Sequence, residues 1–217
     1  MFNILFALVP VGIILLVSEY FWRKKFLKVE RARKFIHILA GIWIAFWPFY
    51  IPFDGIFILG CVALTFLLYS RHTHTFKAIY AVRRRTYGEI FYAIAIIICS
   101  FYGQEPWVFT VSILLLALAD GGAAVVGKYW GSNNQYRVFG NKNLNKSVAG
   151  TFAFLVFAYI SVGIGWLLGG NIVMSDHLFI AFFIIPVVST ILENISPYGL
   201  DDLTTPLFAT ILLNSLL

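Results

Sequence analysis

Uninterrupted apolar runs recur along the whole chain, and each approaches the ~20 residues that a helix needs to cross the hydrocarbon core of a bilayer. That leaves the backbone little choice. Lipid-exposed N–H and C=O groups need internal partners, and the alternating pattern of a barrel strand is absent, so helices are the expected spanning form. Composition agrees: 60% of the 217 residues are hydrophobic and 12% are charged, about half the charged share of a soluble domain. Eight spans are predicted, over residues 4–20, 36–52, 56–69, 90–102, 107–126, 148–168, 178–192 and 203–217. The third, fourth and last are short enough to tilt, re-enter or sink among neighbours, which leaves seven or eight full crossings. The expected fold is an all-α polytopic integral membrane protein with 7–8 transmembrane helices, a single transmembrane catalytic domain over residues 1–217. Residues 1–17 lack a basic leading segment and a small-residue cleavage site, so they read as the first span and not as a secretory signal. Cys61 and Cys99 sit in separate apolar runs and read as core packing.

The basic residues set an expected orientation. All 16 Lys and Arg fall in three loops, seven from Arg23 to Lys34, five from Arg71 to Arg85 and four from Lys128 to Lys146. The loops after the second, fourth and sixth spans hold only Asp54, Glu105 and Asp176. By the positive-inside bias the basic loops are cytoplasmic and the N-terminus lies outside. The same charge also suits anionic lipid, and with no nucleic-acid module present a nucleic-acid partner is not expected.

The polar groups gather at that cytoplasmic side. Asp120 lies roughly 9 Å inside the fifth span at 1.5 Å rise per residue, where an ionisable group is costly and marks a functional site by default. Gly121 and Gly122 follow, loosening the helix or letting another chain segment approach. The next loop carries Lys128, Gly131, and then Gly140-Asn141-Lys142-Asn143-Leu144-Asn145-Lys146-Ser147. Glycine, asparagine and lysine together supply a mobile backbone, N–H donors and point charges, which suit phosphate; the bland alternative is a hydrophilic loop with Ser147 as a helix cap. Glu193 and the turn Gly199-Leu200-Asp201-Asp202 bring three more carboxylates to the inner end of the seventh span. Adjacent Asp201 and Asp202 repel unless a cation or lysine stands between them, and oxygen-only ligands are what Mg²⁺ prefers. Arg33, Lys34 and His37 stand at the mouth of the second span, Arg83-Arg84-Arg85 and Glu89 at the mouth of the fourth. His37 is a proton acceptor, a phosphate donor or an interfacial side chain, and Glu89 suits the first turn of a helix on dipole grounds alone.

Two patterns mislead. Gly122 to Lys128 has the spacing that begins a P-loop, but Tyr129 stands where a Ser or Thr would hold magnesium, and the context is a membrane helix. Asn145-Lys146-Ser147 and Asn194-Ile195-Ser196 match the glycosylation pattern, yet both fall on the expected cytoplasmic side. A divalent metal, phosphate-binding cations and walls of lipid-facing helices suit transfer between a nucleotide and a lipid head group. An ion or solute transporter should instead show polar groups through the whole bilayer depth.

Five ordered motifs carry a resemblance. Arg33-Lys34-Phe35-Ile36-His37 with Gly41, Tyr87-Gly88-Glu89, Ala119-Asp120 with Ala123, Gly127 and Gly131, Asn145-Lys146-Ser147 with Gly150-Thr151, and Glu193 with Gly199-Leu200-Asp201-Asp202-Leu203 and Pro206-Leu207 together resemble the CTP-dependent lipid-alcohol kinases: dolichol kinase, phytol kinase and the yeast-type diacylglycerol kinase. That family is similar to phosphatidate cytidylyltransferase. The resemblance implies transfer of the terminal phosphate of CTP to a lipid hydroxyl with Mg²⁺. It implies Asp120 and Asp201 as metal ligands and Lys146 and Ser147 on phosphate; the residue pattern adds Asp202 as a metal candidate and Lys128, Lys142, Asn145, Arg33 and Lys34 as phosphate candidates. Glu193 would support the acidic site, and His37, Glu89 and Asp202 are alternative bases. Many members read Asp-Asn-Leu where this chain has Asp201-Asp202-Leu203, so either aspartate remains open as the ligand. A CDP-lipid-forming cytidylyltransferase and a transporter are the rival readings. The acceptor (polyprenol, phytol or diacylglycerol), the oligomeric state and the membrane, bacterial inner or intracellular eukaryotic, stay open.

Overall fold

The computed structural model describes residues 2–26, 29–73, 87–103, 105–138, 145–169 and 176–217. Among them are eight helices: α1 (Phe2–Arg23), α2 (Val29–Ala45), α3 (Phe53–Thr73), α4 (Gly88–Tyr102), α5 (Pro106–Trp130), α6 (Val148–Leu168), α7 (Asp176–Ile195) and α8 (Asp201–Ser215). Each predicted apolar segment overlaps one of them, but the second, 36–52, overruns α2, which starts earlier at Val29 and ends at Ala45, and continues through a 3-10 turn over Trp47–Phe49. Four are long and apolar enough to cross a membrane, α1, α3, α5 and α6. At 15 residues, α4 is about 22 Å long, short of a hydrocarbon core of ~30 Å.

The all-helical expectation needs one amendment. Gln135–Arg137 (β1) and Asn145–Ser147 (β2) pair antiparallel, with Tyr136 opposite Lys146, inside the segment read as a loop. Three-residue strands carry almost no periodicity, so the sequence gives no strand signal there.

α5 is the pillar. It is 72% buried across its apolar window, against 17% for α1 and 22% for α3. Phe109, Ile113, Leu114 and Leu116 on one side join a core with α2, α3 and α4. Val108, Val111, Leu115 and Ala119 on the other join a core with α6, α7 and α8. Where helices pack in lipid, small residues and hydrogen bonds replace much of the hydrophobic drive. Thr110 Oγ1 accordingly donates to Ala45 O of α2 at 2.8 Å, and the hydroxyls of Ser112 and Thr210 meet at 2.7 Å between α5 and α8. Cys61 and Cys99 are both free, Cys99 fully buried.

Midway, α5 widens into a π-helical turn over Leu115–Asp120, a feature that concentrates at functional sites. Gly121 and Gly122 follow. A Cβ on Gly121 would lie 2.3 Å from Ile38 of α2, and one on Gly122 2.4 Å from the Phe157 ring of α6. The glycine pair thus lets two helices close on α5 immediately beside Asp120.

Candidate active site

Four segments bring charged groups to Asp120. α2 supplies Lys34 and His37, β2 supplies Lys146, the last turns of α7 supply Glu193, and the first turn of α8 supplies Asp201 and Asp202. The turn into α8 needs Gly199, whose φ of 87° is left-handed and strains any residue with a Cβ. Lys34 Nζ pairs with Asp120 Oδ2, and Lys146 Nζ with Glu193 Oε1. His37 Nε2 lies 3.2 Å from Asp120 Oδ2 and 3.9 Å from Asp202 Oδ1.

His37 Nε2 also stands 2.8 Å from the carbonyl oxygen of Leu116, inside the π-turn. A carbonyl can only accept, so this nitrogen carries a proton and donates. While it donates there, Nε2 offers no lone pair to a proton or a metal. Glu89 lines the same cavity but is bound to Arg71 at 2.9 Å, joining α4 to α3. Of the three base candidates, Asp202 keeps a buried Oδ1 without a hydrogen-bond partner.

The donor set fits a hard cation. One oxygen from each of Asp120, Glu193 and Asp201 lies within 4.8 Å of the others, an all-oxygen group of the kind Mg²⁺ takes. A second grouping of His37, Asp120 and Asp202 offers a nitrogen that already faces a carbonyl. Of the two adjacent aspartates, Asp201 falls in the all-oxygen group and Asp202 in the group with His37. Glu193 Oε2 is also buried without a partner. Four carboxylates shielded from water, two of them holding orphaned oxygens, are costly without positive charge beyond the paired lysines.

Lys146 lies outside the helices. Burial pulls its ammonium down, but the carboxylates of Glu193 and Asp201 outweigh that, and its pKa ends above the ordinary lysine value. It is a permanent cation at neutral pH. Arg33 lines the cavity with its Nε buried and unpartnered, and is a further candidate for phosphate. Lys128 reaches Glu30 at 3.4 Å across the exposed rim, and Asn145 lines the cavity beside Lys146. Lys142 and Arg83 to Arg85 lie outside the described residues.

Ser147 is the cap of α6, its Oγ accepting from Gly150 N at 3.1 Å. The glycines expected to give a mobile backbone do something else among the described residues. A Cβ on Gly131 would come within 2.3 Å of Ser147 Oγ, and those on Gly127 and Gly150 within 3.0 Å. They let the end of α5 and the start of α6 meet around that hydroxyl.

Two positions escaped the sequence reading. The Tyr136 hydroxyl meets Thr151 Oγ1 at 2.5 Å and donates to Asn194 Oδ1, clamping the hairpin to α6 and α7 directly opposite Lys146. Asn194 was visible only as a discarded glycosylation pattern. Tyr92, one turn beyond Glu89, stacks edge-on against His37 at 4.8 Å, and its hydroxyl occupies the space a Cβ on Gly41 would take. Gly41 stood in the motif; its partner on α4 was hidden by distance along the chain.

No protein-family model matches the chain, and no solved structure matches it. Phytol kinase of Synechocystis sp. is 30% identical to it over 207 residues, 90% of this chain and 83% of that protein. The chain belongs to the lipid-alcohol kinase family. In a kinase of this family the chemistry calls for alignment and charge neutralisation more than for covalent help, and a cluster of carboxylates and lysines at the polar end of a largely apolar cavity offers both.

Proposed function

We propose that this chain transfers the terminal phosphate of CTP to the hydroxyl of a membrane lipid alcohol, with Mg²⁺ as cofactor. Phytol, a polyprenol and diacylglycerol are the acceptors to test, phytol first because of the relative's name. The observation that carries the reading is the joining of the Asp120 cluster to an apolar cavity of about 970 Å³. One compartment thereby offers a place for a charged donor and for a greasy acceptor.

In this reading Asp120, Glu193 and Asp201 would hold the metal, which when bound would supply positive charge against the transferring phosphate. Lys146, Arg33 and Lys34 grip the phosphate oxygens, with Asn145 and Lys128 nearer the rim. Asp202 takes the proton from the acceptor hydroxyl as its oxygen bonds to the terminal phosphorus and the bond to the CDP oxygen breaks. His37, fixed by Leu116 O, orients Asp120. Tyr136 and Ser147 are positioning residues that set the hairpin bearing Lys146. The site faces the cytoplasm, in keeping with the basic loops.

The test uses protein purified in detergent with Mg²⁺ and a mixture of phytol, polyprenol, diacylglycerol and phosphatidate. CTP is labelled on its terminal or on its inner phosphate. Terminal label appearing on an alcohol, lost with chelator and regained with Mg²⁺, is the expected result. Inner label entering lipid would replace the kinase by a cytidylyltransferase, and no transfer from well-folded protein would sink both.

A further inference from the structure

The polar cluster occupies only one end of its cavity. A single stripe on α2 runs from Arg33 and His37 through Ala40 and Ile44 to Trp47, which follows the helix, and all five line the same space. From His37 to Trp47 is about 15 Å at helical rise. Along that length the large apolar lining comes from α1, α2, α3 and α4.

The sequence explains why there is room. Gly12, Ala40, Gly60, Ala63 and Ala93 line this arm, so four helices contribute small residues to it. Its far end meets the bulk of Ile44 and buried Trp47. α1 packs on α2 and α3 on α4, and residues of both α1 and α3 line the arm. Leu8, Gly12 and Leu15 form one face of α1, and Val62 and Phe66 one face of α3. Leu8, Val62 and Phe66 line the cavity and are also 41%, 58% and 39% exposed. Among the described residues, then, these three belong both to the cavity wall and to the outer surface of the helices.

We propose that this arm seats the hydrocarbon chain of the acceptor, which enters between α1 and α3 at Leu8, Val62 and Phe66, while Gly12 keeps the arm wide and Trp47 ends it. The inference rests on the kinase reading for the acceptor's chemistry. The occupant is an apolar chain because the arm is continuous with the cluster that would hold the reacting hydroxyl, and among the described residues its lining between His37 and Trp47 offers no charged partner beyond Glu89, which Arg71 already holds. Each methylene buried there adds binding that a shorter alcohol lacks, so chain length is read by the arm and not by the cluster.

Gly12 gives a clean probe, since a Cβ built on it meets nothing within 4 Å. Gly12→Phe fills the arm without a clash at the backbone. With phytol and prenol as paired acceptors, the ratio of kcat/KM for the long alcohol to that for the short one should fall at least about tenfold, equivalent to displacing roughly two methylene groups. An unchanged ratio in folded protein overturns the proposal. Val62→Phe, on the α3 wall and largely exposed, should give the same selective loss if Gly12→Phe does not fold. A second measurement separates this inference from the kinase reading. A long-chain alcohol bearing a terminal photoreactive diazirine should label α1 and α3, or the end of the arm near Trp47, whether or not phosphate moves, and Gly12→Phe should suppress that labelling. Labelling elsewhere, or labelling indifferent to Gly12→Phe, overturns the arm even if the enzyme is active.

Discussion

At the scale of single residues, Asp120 meets the most demands. Lys34 and His37 both reach its Oδ2, and it shares an oxygen group with Glu193 and Asp201. Asp120→Asn keeps the shape, removes the charge and leaves the Lys34 ammonium unpaired. Activity in the labelled-CTP assay should fall by at least about a hundredfold, while the protein still inserts and elutes as a folded species from a sizing column. Near-normal turnover by Asp120→Asn would remove the aspartate from the metal site. The sequence made Asp120 legible because a carboxylate within an apolar run is costly and so stands out. It did not reveal which neighbour restrains His37, because the Leu116 carbonyl belongs to a π-turn that no residue type announces. Nor could it separate Asp201 from Asp202, since neighbours on a helix differ by about 100° in direction, and only the packed partners show which one faces Glu193.

At the scale of elements, apolar runs marked where the described helices lie, but the second predicted span, 36–52, overran α2, which ends at Ala45. The hairpin was missed, and with it the reason for the glycines around it. Gly127, Gly131 and Gly150 look like loop residues in the sequence, whereas in the fold they are contact residues where α5 and α6 meet. Gly131 is the most constrained of the three, because a Cβ there would sit 2.2 Å from the Gly127 carbonyl oxygen and 2.3 Å from Ser147 Oγ. Backbone cannot swing aside as a flexible side chain can. Gly131→Ala should therefore destabilise the protein by about 1–3 kcal/mol, read as a lower unfolding midpoint in detergent. Because Ser147 is next to Lys146, the same shift should lower kcat, with a misplacement of ~1 Å costing up to about a hundredfold. A variant with full activity would show that the hairpin does not set Lys146.

At the scale of the whole molecule, the proposed activity depends on which way the bundle faces. The groups that would bind phosphate lie on the loops and helix ends that also carry the Lys and Arg residues, and the loops at the opposite end hold Asp54, Glu105 and Asp176 without a Lys or Arg. One distribution of charge would then do two things, orienting the chain during insertion and placing the phosphate site where nucleotide is abundant. The two roles can be pulled apart by experiment. Ser132 follows α5 and Asp54 begins α3, and both are exposed, so each accepts a cysteine without disturbing the core. In a background with Cys61 and Cys99 replaced, a membrane-impermeant maleimide added to intact cells should label Asp54→Cys and spare Ser132→Cys, and inverted vesicles should reverse the pattern. Labelling of Ser132→Cys from outside would turn the cluster away from the nucleotide pool. The proposed function would then need a donor on the other side of the membrane, however well the residues around Asp120 suit the chemistry.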